Sequence, residues 1–162
     1  MAWGREEVFV PVESAREVVV RQFAEEDGPA LAEMYSSFRP LGAAQGLPPI
    51  NPERRKAWLL KLRCGVNLVA FLEGKLAGHL ALVPIGDAAE LTCFVHQDFR
   101  RRGVATALTL EAVEEARRAG YRRISVFIDT HNIGARHGLL KFGFRPVWED
   151  LQEGEYEYAL SQ

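Results

Sequence analysis

The chain has 162 residues, 48% apolar and 26% charged, a balance that is ordinary for one globular domain with a sizeable core. Its 20 basic and 22 acidic residues leave a net charge of −2, so no general attraction to nucleic acid or to an anionic membrane is expected. The longest apolar run, Leu68–Leu72, is too short to span a bilayer, and two cysteines without a CxxC pair argue against a disulfide scaffold or a structural zinc site.

The first segment, residues 1–16, is interrupted by charged side chains and has no long apolar stretch. It therefore lacks the features of a secretory signal peptide, and the reducing cytoplasm is the expected compartment. Within it, the run Val8–Val12 predicts an edge strand that Pro11 would limit.

A strand and two helices are predicted next. The β-branched run Glu17–Phe23 predicts a strand. Asp27 is expected to cap a helix that carries apolar residues at spacings of three and four as far as Phe38. A second helix is expected to start after Asn51 and to run to about Arg63. The proline- and glycine-rich segment between the helices, residues 39–51, is expected to be a stiff, ordered loop or lid.

The rest of the chain predicts six strands and two helices. The strands are expected at 67–73, 75–84, 90–95 and 123–128, with a short C-terminal pair at 147–148 and 156–160, and the helices at 103–119 and 132–142. Glu73-Gly74-Lys75 predicts a hairpin, and glycines follow both helices where a left-handed C-terminal residue is common. Hairpins mixed with helical crossovers predict an α/β (α+β) domain with a mixed sheet.

The segment Val95–Thr106 carries the strongest chemical signal. A buried strand runs into three adjacent arginines, then a glycine, then the start of a helix. The first amides of a helix have no intrahelical partner and the helix dipole is positive there, so this turn is a candidate anion site suited to a pyrophosphate. A solvated basic turn that precedes an amphipathic helix is the alternative interpretation.

Two motifs in this order resemble those of the GNAT acetyltransferase superfamily. Arg100–Ala105 reads Arg-x-x-Gly-x-Ala, like the family's pyrophosphate motif, although Gln97 stands where the family often has proline. Asn132–Phe144 resembles the later Asn-x-x-Ala helix that ends in Gly-Phe. The order of elements from Val18 to Leu160 also matches.

The resemblance implies a single GNAT domain over residues 1–162, with residues 1–16 as an N-terminal extension or edge strand. The implied fold is a central mixed, mostly antiparallel sheet of six to seven strands flanked by about four helices. The fourth and fifth strands, which end near Val95 and Ile128, are expected to splay apart and form a slot.

The resemblance also implies acetyl-CoA as the acetyl donor. The turn would hold the pyrophosphate through its backbone, the pantetheine arm would lie along the strand ending at Val95 like an added strand, and Asn132 would bond that arm unless it serves only as a helix cap. The implied cofactor-binding residues are Phe94, Val95, Arg100, Arg101, Arg102, Gly103, Val104, Ala105, Thr106, Asn132, Ala135 and Leu139.

The implied activity is that of an N-acetyltransferase, an acyltransferase in which an amine attacks the thioester directly in a ternary complex. Glu90 is the preferred general base, because acids are common there in the family; His79 and His131 are alternatives. Leu139 occupies the position of a frequent family tyrosine, so a non-catalytic acetyl-CoA-binding regulatory module remains the second hypothesis. Cys93 is expected to be structural, and no metal site is expected.

The expected partners follow from the same resemblance. The acceptor would be a primary amine of a small molecule, amino acid or peptide. Neither nucleic acid nor membrane is expected to bind. The tyrosine-rich last strand is a candidate for pairing across a homodimer.

Overall fold

The computed structural model describes residues 18–42 and 47–160, which build one seven-stranded sheet with helices on both faces. The strands are β1 (Val19–Gln22), β2 (Val66–Leu72), β3 (Lys75–Ile85), β4 (Ala88–Val95), β5 (Arg123–Asp129), β6 (Arg145–Glu149) and β7 (Glu153–Ala159). The helices are α1 (Gly28–Ser37), α2 (Pro52–Leu62), α3 (Val104–Arg118) and α4 (Ile133–Phe142). The strand expected at Val8–Val12 lies outside the described residues.

The strand order is β1-β2-β3-β4-β5-β7-β6. Every neighbouring pair is antiparallel except β4 and β5, which are parallel and joined by the crossover helix α3. A parallel pair requires such a crossover, because its strands start at the same edge of the sheet. The expected mixed, mostly antiparallel sheet with four helices is confirmed.

Alternation along β4 divides the core into two layers. Leu91, Cys93 and Val95 pack on one face in the cluster that includes α3 and α4. Phe94 points to the opposite face and joins the cluster of α1, where Trp58 of α2 packs against it. Strand β4 is therefore buried on both faces, as expected for the centre of a sheet covered on two sides.

The local signals of turns and caps were largely correct. Glu73 and Gly74 both have positive φ angles, 55° and 74°, as the two-residue hairpin requires. Asn51 caps α2 by accepting a hydrogen bond from the Arg54 amide at 3.0 Å. Asp27 stands at the N-cap of α1, but its carboxylate does not cap the helix: it accepts two bonds of 2.7 Å from Arg21 instead. The expected side-chain cap by Asp27 is thus wrong, because its two carboxylate oxygens accept from Arg21 of β1 and from the Ala24 amide rather than from amides of α1.

Within the part of the chain that the structure describes, no helix combines the length and the hydropathy needed to cross a membrane.

Candidate active site

The central feature of the site is a split between β4 and β5. The two strands pair only at Ala88–Arg123, Ala89–Ile124 and Glu90–Ser125. Beyond Glu90, β4 continues to Val95 and β5 to Asp129 without any recorded pairing between them. The expected splay is confirmed, and the β5-facing edge of β4 presents main-chain groups that an extended ligand could pair with as an added strand.

The predicted anion site lies directly beyond the end of β4. Arg101 and Gly103 have φ angles of 64° and 85°, so two left-handed residues turn the chain into α3. The N-cap Gly103 supplies no side-chain cap, and the first helical hydrogen bond runs from the Ala107 amide to the Gly103 carbonyl at 3.0 Å. The amides of the first turn therefore point out of the helix end, where the helix dipole favours an anion.

Arg100 and Arg102 use their side chains on the protein itself. Arg100 donates to the carbonyl oxygens of Val95 at 3.0 Å and Arg39 at 2.6 Å, and its guanidinium lies 5.3 Å from the centre of the Phe38 ring. Arg102 forms an ion pair of 2.6 Å with Glu73, which lowers the pKa of that carboxyl. The candidate anion site is therefore built chiefly from backbone amides rather than from a row of arginine side chains.

The second motif forms the start of α4, on the opposite side of the split. Asn132 caps this helix, and its side-chain oxygen accepts a hydrogen bond from the Ala135 amide at 3.1 Å. The cap role of Asn132 is confirmed, whereas its role toward a ligand stays a prediction. Ala135 and Leu139 are fully buried and belong to the same core cluster as Val95, Val104 and Ala105. Packing thus places residues of both motifs in one core cluster.

A cleft of about 1060 Å³ opens on the α1 and α2 face of the split. Trp58, Phe94 and Phe127 supply aromatic surface to its walls. Its ionisable lining residues are Lys61, Glu90, Asp129, His131 and Glu153. Carboxylates outnumber the basic groups in this lining, so the cleft suits a ligand that carries a positive charge.

Glu90 sits at the vertex of the split. It lies opposite Val83 of β3 and Ser125 of β5, at the last residue where β4 and β5 still pair. Partial burial raises the pKa of Glu90, and the nearby Glu155 raises it further. A carboxylate with a raised pKa is a stronger base, so the geometry and the electrostatics both suit Glu90 to accept a proton in the cleft.

The two histidine alternatives differ in position. His131 lines the cleft, is largely exposed, and places Nδ1 3.0 Å from Oδ1 of Asp129. His79 is buried, and both of its ring nitrogens are in hydrogen bonds. His79 therefore has no nitrogen to offer a substrate.

The hydrogen bonds of His79 also determine its tautomer. The Asn67 amide nitrogen donates to the carbonyls of Leu62 and Gly65 at 3.0 and 3.3 Å, so its oxygen must accept from His79 Nε2 at 2.8 Å. His79 Nδ1 then accepts from the Tyr35 hydroxyl at 2.7 Å. This neutral network ties β2 and β3 to α1, and burial lowers the pKa of His79 to about 4.

The buried His79 predicts a pH-dependent stability. Its pKa is about 4 when folded and 6.5 when unfolded, so the unfolded chain binds the extra proton between these values. Lowering the pH from 7 to 4 should therefore cost about 3 kcal/mol of unfolding free energy through this residue alone. Urea titrations of the wild type and of His79→Gln, whose amide can make both hydrogen bonds without titrating, should diverge by that amount. Parallel pH curves for the two proteins would contradict the prediction.

Several cleft residues were not among the predicted site residues. The sequence pattern predicts Trp58 only as an apolar residue of a helix, and it gives Phe127, Asp129 and Glu153 no sign of a role beyond the strands. The alternation of Glu153, Glu155 and Glu157 was visible in the sequence, but the antiparallel pairing of β7 with β5 is what places these carboxylates on the cleft face.

Within the described ranges, no group of three or more His, Cys, Asp or Glu residues could hold a metal ion.

A comparison with known families matches residues 29–144, more than half of the chain, to a model described as "Acetyltransferase (GNAT) family". An uncharacterized N-acetyltransferase of Methanocaldococcus jannaschii, MJ1207, is 32% identical over 95 residues. That alignment covers 54% of this chain and 42% of the relative, so the chain spans less than half of the length of this curated relative.

Solved structures resemble the whole described fold. An N-acetyltransferase from Staphylococcus aureus Mu50 superposes with a TM-score of 0.74 at 20% identity, covering 89% of this chain and 99% of its own. A Salmonella typhimurium protein solved with its cofactor acetyl-CoA superposes with a TM-score of 0.73 at 17% identity, covering 90% and 95%. At these identities the likeness establishes the fold.

Proposed function

Since the chain belongs to the acetyltransferase (GNAT) family, we propose that it transfers the acetyl group of acetyl-CoA to a primary amine of a small molecule, amino acid or peptide. The observation that carries the proposal is the split sheet. Its open β4 edge leads to a helix N-terminus whose N-cap residue is a glycine, and a carboxylate with a raised pKa stands at its vertex.

The residues present fit acetyl-CoA. The turn at Arg100–Thr106 would hold the pyrophosphate through backbone amides, and the edge of β4 at Phe94–Val95 would pair with the amides of the pantetheine arm. Asn132 would bond that arm from the start of α4, and the fully buried Ala135 and Leu139 would hold α4 in place from the core. When bound, acetyl-CoA supplies an activated thioester.

The acceptor amine enters from the opposite, acidic cleft. An alkylamine has a pKa of roughly 10.4, so freeing its lone pair at pH 7 costs on the order of 4–5 kcal/mol. Glu90 would accept the ammonium proton at its carboxylate and so free the lone pair inside the cleft. The nitrogen lone pair then forms the C–N bond as the C–S bond breaks and the electron pair leaves with sulfur, and the second N–H proton passes to the departing thiolate, so that the products are the N-acetyl amine and the free thiol. The carboxylates Asp129 and Glu153 favour a cationic acceptor at the cleft mouth.

The leaving thiol needs less help than the amine. A thiol has a pKa of roughly 8.5, so departure as a thiolate at pH 7 costs on the order of 2 kcal/mol. Leu139, which stands where the family often has a tyrosine, is buried and cannot donate a proton. The proposed reaction therefore depends on the base at Glu90 more than on an acid.

A second function is kept open by Leu139, namely an acetyl-CoA-binding module without turnover. Thiol release from acetyl-CoA, measured with a panel of mono- and diamines, amino acids and peptides, separates the two. Turnover with at least one amine, with the acetylated product identified by mass spectrometry, supports the enzyme. Tight binding of acetyl-CoA by calorimetry without thiol release from any amine would overturn it in favour of the module.

The same proposal treats residues 1–162 as one acetyltransferase domain. Strands β1 and β7, near the two ends of the described chain, belong to one continuous sheet, so the described residues offer no place to divide it. The N-terminal extension at 1–16, the cytoplasmic location and a homodimer stay predictions.

A further inference from the structure

Glu155 is held in place by three strands of the sheet. It lies on β7 opposite Phe127 of β5. Ser125 of β5 donates its hydroxyl to one carboxylate oxygen at 2.8 Å, and the Trp148 indole of β6 donates to the other at 2.9 Å. Two directional hydrogen bonds from different strands define where the negative charge of this side chain sits.

This fixed charge stands beside the vertex of the split. Ser125, which bonds Glu155, is also the residue paired with Glu90 at the last contact between β4 and β5. Ser125 therefore contacts Glu155 through its side chain and is the strand partner of Glu90. Glu155 is also the charged group whose repulsion adds to burial in raising the pKa of Glu90.

We propose that Glu155 is a positioning residue of the acetyl-transfer reaction, whose anchored negative charge makes Glu90 a more effective acceptor of the amine proton. This inference rests on the proposed function. Glu155 acts through Glu90 and does not itself line the cleft, whose described lining includes Glu90 and Glu153. A like charge close to a carboxylate disfavours its ionised form, and so strengthens it as a base.

The other charged groups on this face are placed differently. Lys61 faces the cleft from α2, Asp129 and His131 face it from the end of β5, and Glu153 faces it from β7. From β3 the residue opposite Glu90 is the uncharged Val83. Glu157 of β7 lies opposite Ser125 in the strand register, but the serine hydroxyl bonds Glu155. The carboxylate of Glu157 instead forms an ion pair of 3.2 Å with Arg123. Glu157 is therefore a matched control on the same strand and face.

The test compares the charge-removing variants Glu155→Gln and Glu155→Met with the control Glu157→Gln. The full-length proteins are assayed for thiol release with an amine that the wild type acetylates, from pH 5 to 9. The acidic limb of kcat/KM should move to lower pH by about 0.5 unit or more in both Glu155 variants, since Glu90 then loses its proton more easily. The control should keep the wild-type limb.

A second readout needs no turnover. The side-chain carboxyl of Glu90 is titrated by ¹³C NMR in the same proteins, with the signal assigned through Glu90→Gln. A lower pKa of the Glu90 carboxyl in both Glu155 variants supports the inference, even if no acceptor has been found. An unmoved Glu90 titration, or an equal shift in the Glu157→Gln control, would overturn it and leave the acetyltransferase proposal untouched. Conversely, absent thiol release with a shifted titration would count against the proposed function alone.

Discussion

Gly103→Glu is expected to abolish acetyl-CoA binding, with a loss of affinity of about 100-fold or more. Gly103 precedes α3 with a φ angle of 85°, where a side chain is strained, and its backbone belongs to the proposed pyrophosphate turn. A glutamate there adds a negative charge and bulk at the place where the diphosphate would sit. Isothermal titration calorimetry with acetyl-CoA measures the effect directly.

Gly120→Glu is the matched control for this prediction. Gly120 follows the other end of α3 with a φ angle of 81°, and a Cβ built there meets nothing within 4 Å. It therefore introduces the same strain and the same charge on the same helix, far from the turn. We expect the control to lose stability but to keep its affinity. Equal affinity in Gly103→Glu and the wild type would remove the turn from the proposed cofactor site.

Glu90→Gln is expected to lower kcat by about 10²- to 10⁴-fold, the usual contribution of a general base. Glutamine keeps the size of the side chain but cannot take the proton, while acetyl-CoA affinity should change little because Glu90 lines the cleft proposed for the acceptor. Steady-state thiol release and calorimetry on the same samples separate the two effects.

The pH profile tests the direction in which kcat/KM changes with pH. The base must be ionised, so wild-type kcat/KM should rise with pH through the pKa of Glu90, which is raised above its ordinary value. That limb should be lost in Glu90→Gln. A variant with the wild-type rate and profile would exclude Glu90 as the base, and His131, which lines the same cleft, would be the next residue to substitute.

Much of the fold could be predicted from local patterns. The helices and strands lie close to their expected bounds, because apolar periodicity and turn residues such as Glu73-Gly74 act over a few neighbouring positions. Family membership, predicted from two motifs, is confirmed. Asp27 shows where such reasoning fails: a local rule predicted a helix cap, and a residue on another element, Arg21, bonds the side chain instead.

The candidate site could be predicted only in part. The turn at Arg100–Thr106 could be predicted because a single segment carries its signal, and Glu90 was proposed from the family resemblance; the roles of both stay predictions. The cleft residues Trp58 and Asp129 were not, because each becomes a neighbour of Glu90 only through helix packing or strand pairing. His79 was a plausible base until the structure revealed that Tyr35 and Asn67 bond both of its nitrogens.

By itself the sequence determined the family, the succession of elements and the position of the two motifs that resemble those of the family, since each of these depends on runs of adjacent residues. The tertiary structure alone decided which side chains share the cleft, that Arg100 and Arg102 bond the protein, and that Glu155 bonds Ser125, the strand partner of Glu90. The reason is that strand register and the separation of β4 from β5 arise from packing between distant segments, and a shift of one residue in register would turn each of these side chains to the opposite face.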